Sequence, residues 1–157
     1  HHTDDPNVGL PLTKDTSRYK LFAADTGLFV TMAFWDKGFA ENIIYQKLLS
    51  DKLEANLGYL YENLVAQMLT AAGNQLFYYT FEKDDKHFYE IDFMLTRGSK
   101  ICPVEVKSSG YMTHASLDAF RKKYQARIQN SCVLYTKDLQ KGENGLLYLP
   151  VYMTPML

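Results

Sequence analysis

The stretch from Glu90 to Lys107 constrains the fold more than any other part of the chain, because it alternates about a turn at Arg97-Gly98-Ser99-Lys100. Gly98 suits the first position of a two-residue type II′ loop, which fixes the register of the strands on either side. In that register Asp92 falls opposite Glu105, in the closer, non-hydrogen-bonded kind of pair, and Glu90 falls opposite Lys107. Alternation sends Ile91, Phe93, Leu95, Cys102, Val104 and Val106 to one face, expected to be the core side. The other face carries Glu90, Asp92, Glu105 and Lys107. A slip of one residue in either strand would bury charge, so the register is doubly specified.

Two carboxylates directly opposite each other destabilise a sheet unless something offsets their repulsion. A divalent cation does so: Mg²⁺ is hard, prefers oxygen, and takes one or two carboxylates together with waters and phosphate oxygens. Lys107 beside such an ion could orient a water or balance charge on a phosphate. The plainer alternative is a solvated charged face with Glu90 and Lys107 as a cross-strand ion pair. On that account Glu90 pairs with Lys107 more readily than it binds metal.

The rest of the chain frames this hairpin. Residues 1–17 are polar and contain Pro, and His1-His2 without Met resembles a tag remnant, so we expect a flexible linker there. Residues 18–57 are expected to form an N-terminal helical segment: an extended piece, then a helix capped by Asp25, then a stretch with Ile43, Ile44, Leu48 and Leu49 loosely periodic. Leu60, Tyr61, Leu64, Val65, Met68 and Leu69 recur at helical steps, and Gly73 is placed to end that helix. The period then changes to two. Strands are predicted over Leu76–Phe81, His87–Leu95 and Ile101–Lys107, a helix over Thr113–Ile128, and strands over Cys132–Thr136 and Leu146–Leu149. The expected fold class is α/β (α+β), a mixed central sheet flanked by helices, with residues 58–157 as the core domain.

Composition bounds the function. The chain has 157 residues, 46% hydrophobic and 22% charged, which suits one globular domain. A net charge of −1 gives no support to a surface that is basic throughout. Cys102 and Cys132 read as small hydrophobes in a reducing compartment, with a disulfide open only if their strands are neighbours. No apolar run is long enough to span a membrane, so a cytoplasmic, membrane-free location is expected. No phosphate-binding Gly-Lys-Ser/Thr loop occurs, so this chain should hold no nucleotide site.

Glu90-Ile-Asp92, about a dozen residues before Pro103-Val104-Glu105-Val106-Lys107, resembles the PD-(D/E)XK nuclease superfamily, and Glu62 resembles the acidic residue on its preceding helix. The likeness implies a restriction-endonuclease-like core over roughly residues 58–136. It further implies Asp92 and Glu105 as metal ligands, Lys107 as catalytic lysine, Glu62 as an additional ligand, and Mg²⁺ or Mn²⁺ as cofactor. Ile91 replaces the family's Pro without consequence for Asp92. Phe120-Arg-Lys-Lys-Tyr124 stands where RecB-like nucleases carry Gln-x-x-x-Tyr, which weakens a RecB-type reading. Tyr19-Lys20-Leu21, Asp25-Thr26-Gly27-Leu28, Glu62-Asn63 and Glu105-Val106-Lys107 are also similar to motifs of the uncharacterised domain that follows the ATPase module in many AAA+-type ATPases. That likeness implies an ATPase module elsewhere in the full-length protein.

Other candidates are weaker. Glu90 and Ser108 are accessory candidates at the site. Arg121, Lys122, Lys123 and Arg127 make a basic helical face that could touch a DNA backbone, and solvated charge explains it equally well. His87 and His114 read as surface histidines, and Trp35 as core or interface. Two functions stay open: Mg²⁺-dependent cleavage of DNA, or a catalytically silent nuclease-fold module that binds nucleic acid or protein and regulates the attached ATPase. Monomer and oligomer are equally open.

Overall fold

A computed structural model describes residues 1–33 and 57–157. The predicted second helical stretch near 38–57, and Trp35 with it, lies outside the described residues, apart from Leu57. Among the described residues no helix is long and apolar enough to cross a membrane.

Two successive apolar runs, Ile-Cys-Pro-Val and Cys-Val-Leu-Tyr, are too continuous for a sheet with one wet face. They lie at the centre of a five-stranded mixed sheet. Its strands are β5 (Phe93–Arg97), β6 (Lys100–Val106), β7 (Ser131–Tyr135), β8 (Gln140–Lys141) and β9 (Leu146–Pro150), in the order β5-β6-β7-β9-β8. The β5–β6 hairpin is antiparallel, whereas β6–β7 and β7–β9 are parallel. Between β6 and β7 runs the crossover helix α3 (Ala115–Lys123). Helix α2 (Leu57–Ala71) precedes the strands, and α1 (Thr26–Ala33) precedes α2.

Each face of the sheet has its own core. Phe93, Leu95, Cys102, Val104, Cys132 and Leu134 pack with Val65, Ala66 and Leu69 of α2. Met94, Ile101, Val133 and Tyr135 alternate with them and pack with Leu117 and Phe120 of α3. The expectation of one apolar and one charged face is therefore corrected: of the charged positions expected on β6, Glu105 lies near its C-terminal end and Lys107 just beyond it.

The hairpin register stands as predicted, with Phe93 opposite Val104 and Arg97 opposite Lys100. Gly98 has φ 58°, as its place in the loop requires. The long strand His87–Leu95 does not form. It breaks at Asp92 into β4 (His87–Ile91), paired with β3 (Tyr79–Asp84) in a separate ribbon, and β5. The Asp92 carboxylate accepts the N–H of Val106 at 2.7 Å, so a side chain takes the bond at the point where pairing ends. The break shifts the alternation: Ile91 packs with Met94 and Ile101, not with Phe93.

Helix α2 ends as its sequence dictates. Gly73 has φ 85°, Asn74 N–H reaches Leu69 O at 2.9 Å and Gly73 N–H reaches Thr70 O at 3.0 Å, a Schellman motif. Asp25 caps α1, its carboxylate accepting from Leu28 N–H at 2.7 Å. Helix α3 is shorter than predicted. The chain tightens to a 3₁₀ turn at Gln125–Arg127, then extends so that Ile128 bridges Ile101 and Gln129 N–H bonds Ile101 O.

Residues 1–17 are not a flexible linker. Strands β1 (His2–Thr3) and β2 (Lys14–Asp15) pair with each other, and the backbones of His1 and Thr3 bond that of Tyr78. His2, Thr3 and Leu10 are buried. An open edge beside β3 accepts this segment, which explains why a polar, Pro-containing sequence is held. Cys102 and Cys132 lie on neighbouring strands as free thiols, their sulfurs 3.7 Å apart.

Candidate functional site

The break at Asp92 and the exit of β6 lie together, and that junction gathers the charged side chains. Asp92 is anchored by the Val106 N–H. Glu105, on β6 and beside the parallel strand β7, is buried, and its Oε1 meets Lys107 Nζ at 2.9 Å. Its other oxygen, Oε2, is buried without a hydrogen-bond partner. Glu62 enters from α2 and Glu90 from β4.

Lys20 joins them from the segment before α1. Its ammonium lies 2.6 Å from Glu90 Oε1 and 3.3 Å from Glu62 Oε2. The expected Glu90–Lys107 pair is thereby corrected. With the ladder broken at Asp92, Glu90 stands opposite Thr80 of β3, and each lysine finds a different carboxylate. Lys20 was missed as a site residue because nothing in its local pattern says where an extended segment will lie. The structure supplies the reason: buried Asn63, next to Glu62, accepts from Ala23 N–H at 2.7 Å and donates to Ala23 O at 3.2 Å. One turn on, Gln67 accepts from the Thr26 N–H and hydroxyl at 3.0 and 2.7 Å. The helix that projects Glu62 into the site thus also fastens the strap that delivers Lys20.

Four carboxylates and two ammoniums make this region electrostatically tense. Burial, then the charges of Glu105 and Glu62, push the Asp92 carboxyl up to about 8, against the opposing pull of the Val106 N–H and Lys20. Burial also raises Glu105, with Lys107 and His114 opposing. Burial works against the charged form of Lys20, but its bond to Glu90 and the charges of Glu62, Glu90 and Asp92 leave its pKa raised. Beside the cluster opens a cleft of about 520 Å³, lined by Lys20, Leu21, Phe22, Tyr59, Glu62 and Glu90 among others.

A divalent cation fits the chemistry of this donor set. Asp92 and Glu105 are oxygen donors, and although Lys107 pairs with Glu105 Oε1, its Oε2 is buried with nothing to bond. The side-chain positions favour it less. Among the described residues, the trio whose donor atoms lie within 4.8 Å of one another is His2, Asp4 and Asp15, not Glu62, Asp92 and Glu105. Arg18 already spans that trio's carboxylates, at 2.8 Å from Asp4 and 2.6 Å from Asp15.

The remaining candidates fall elsewhere. Ser108 is half-buried at the exit of β6. Arg121 donates to the carbonyls of Glu143 and Asn144, each at 2.9 Å, and Arg127 pairs with Asp5. Lys123 lies over the rings of Phe81 and Tyr124, and Lys122 lines a hollow beside Arg121 and Gln125. The basic face is largely occupied with internal contacts. His114 is not a surface histidine: it is buried, bonding Tyr148 Oη at 2.8 Å and meeting Asp118 at 2.9 Å, so it ties α3 to β9. His87 is exposed and meets Asp84 at the β3–β4 turn, as a surface histidine should.

A family model described as "Domain of unknown function (DUF4143)" matches residues 57–153, from the start of α2 to the final 3₁₀ helix. No curated protein and no solved structure matches the chain.

Proposed function

The chain belongs to the family of domains of unknown function DUF4143, and from that premise we propose that it is a nuclease-like domain whose Asp92–Glu105 site hydrolyses DNA phosphodiesters with Mg²⁺ or Mn²⁺. The observation that carries this reading is half-buried Asp92 beside buried Glu105, with Lys107 on Glu105 and Glu105 Oε2 unpartnered. The order α2, antiparallel strands, α3 and parallel β7 supports a restriction-endonuclease-like core.

Asp92 and Glu105 would hold the ion, and Glu62 would join once released from Lys20. The ion would supply Lewis-acid stabilisation of charge developing on the phosphoryl group. Lys107 would hold its ammonium against that charge while staying oriented by Glu105. The Val106 N–H fixes which Asp92 oxygen turns to the backbone. Incubating the purified chain with single- and double-stranded DNA tests the reading. We expect cleavage that needs Mg²⁺ or Mn²⁺ and is lost in Asp92→Ala and Lys107→Ala. Metal-dependent cleavage that persists in both variants would refute the assignment.

A second reading has its own observation. Lys20 already pairs with Glu62 and Glu90, and Arg121 and Arg127 are turned to internal partners. Both features suit a catalytically silent module that regulates an attached ATPase. That reading predicts no cleavage under any metal, and an altered oligomeric state or partner binding when residues 18–157 are deleted from the full-length protein.

A further inference from the structure

Lys20 reaches the site from outside the span matched by the family model, on a strap with its own fastening. We infer that Lys20 is a built-in counter-cation that competes with a divalent metal for Glu62, so that the position of the strap sets metal occupancy. The inference rests on the metal reading above.

The geometry is that of a seated cation. Nζ lies between Glu90 and Glu62 and 5.4 Å from the centre of the Tyr78 ring, with its side chain only 23% exposed. An oxygen of Glu62 committed to an ammonium is a poorer metal ligand. A divalent ion sharing that carboxylate would also repel the ammonium at short range. Occupancy by one cation therefore disfavours the other.

What holds Lys20 in place is also visible. The strap is held by the side chains of Asn63 and Gln67, not by a strand ladder, and it leads directly into α1 through the Asp25 cap. Leu21, next to Lys20, is exposed at the cleft along with Tyr59. Displacing the strap would withdraw the ammonium and leave Glu62 on helix α2 without that partner, near enough to Asp92 and Glu105 for its charge to act on both. A pull on the segment around α1 is thereby converted into cation affinity at the site.

The test is calorimetric titration of Mn²⁺ alone into the full chain, using wild type, Lys20→Met and Asp92→Asn. Lys20→Met is expected to bind Mn²⁺ about tenfold more tightly than wild type, the scale of one partly screened charge. Measurable binding in Lys20→Met where wild type shows none also supports the inference. Binding that is lost in Asp92→Asn but unchanged or weaker in Lys20→Met overturns the inference and leaves the metal reading standing. Absence of binding in both wild type and Lys20→Met overturns the two together. A second measurement needs no variant: amine acylation of wild type followed by mass spectrometry. Lys20 should react several-fold faster at saturating Mn²⁺ than without it. An unchanged rate with Mn²⁺ bound refutes the competition.

Discussion

Replacing Asp92 with Asn should stabilise the metal-free protein at alkaline pH, although Asp92 is the residue on which the proposed chemistry most depends. Asp92 carries a carboxyl whose pKa rises from 3.8 to about 8, chiefly through burial and then through Glu105 and Glu62. Because the folded pKa lies above the unfolded one, the folded state holds the proton more tightly across that window. Its contribution is fully present below about pH 4 and is lost as pH climbs to about 8. Each pH unit of that window corresponds to about 1.4 kcal/mol, which caps the effect at roughly 6 kcal/mol. Water reaching the carboxylate in locally opened states reduces the cap, and we expect about 1–3 kcal/mol. Asn keeps a side-chain oxygen to accept from the Val106 N–H and removes the charge. Urea unfolding in a chelator at pH 4.5, 7 and 8.5 reads the difference, and subtracting the variant from wild type cancels the titrating groups that Asp92 does not touch, leaving Asp92 and the carboxylates whose charges act on it. The gap should open in favour of Asp92→Asn as pH rises. A constant gap, or a variant less stable than wild type at pH 8.5, would refute the electrostatic account.

Further predictions follow from other contacts. Asn63→Ala leaves Ala23 N–H and O without side-chain partners and should cost about 2 kcal/mol, with hydrogen exchange accelerating at Ala23 and Thr26; unchanged protection there contradicts the fastening. His114→Ala removes the link between α3 and Tyr148 and should cost about 2–3 kcal/mol in chemical denaturation; a loss under half a kcal/mol would return His114 to the role of a surface residue. Gly73→Ala forces a side chain into a φ of 85° with open space around it, so strain alone should cost about 1 kcal/mol; a neutral result would mean the Schellman turn is dispensable. Cys102 and Cys132, both buried, should react with thiol reagents only as fast as the protein opens; reaction at the rate of an exposed thiol contradicts their burial.

What the sequence made legible was local. The Gly98 turn, the register Phe93 to Val104, the Asp25 cap and the Gly73 stop each depend on a few neighbouring residues with strong backbone preferences. What it hid depends on distant segments. The bend at Asp92 arises because one carboxylate bonds the Val106 backbone, and alternation alone cannot register a side chain that replaces a ladder bond. The second core face is hidden in the sequence because, by alternation, Met94 and Ile101 share their side of the pleat with Asp92 and Glu105. The ordering of residues 1–17 follows from an edge at Tyr78 that the N-terminal residues do not announce. The Glu90–Lys107 pair does not form because the break at Asp92 sets Glu90 opposite Thr80, where Lys20 from far upstream meets it.

The most direct test of a cation site at Asp92 and Glu105 is a crystal of the chain soaked in Mn²⁺ and measured for anomalous scattering. We predict one peak within bonding distance of oxygens of both Asp92 and Glu105, with Lys20 withdrawn from Glu62. Saturating Mn²⁺ that leaves no peak there, with Lys20 still seated between Glu62 and Glu90, would contradict the account.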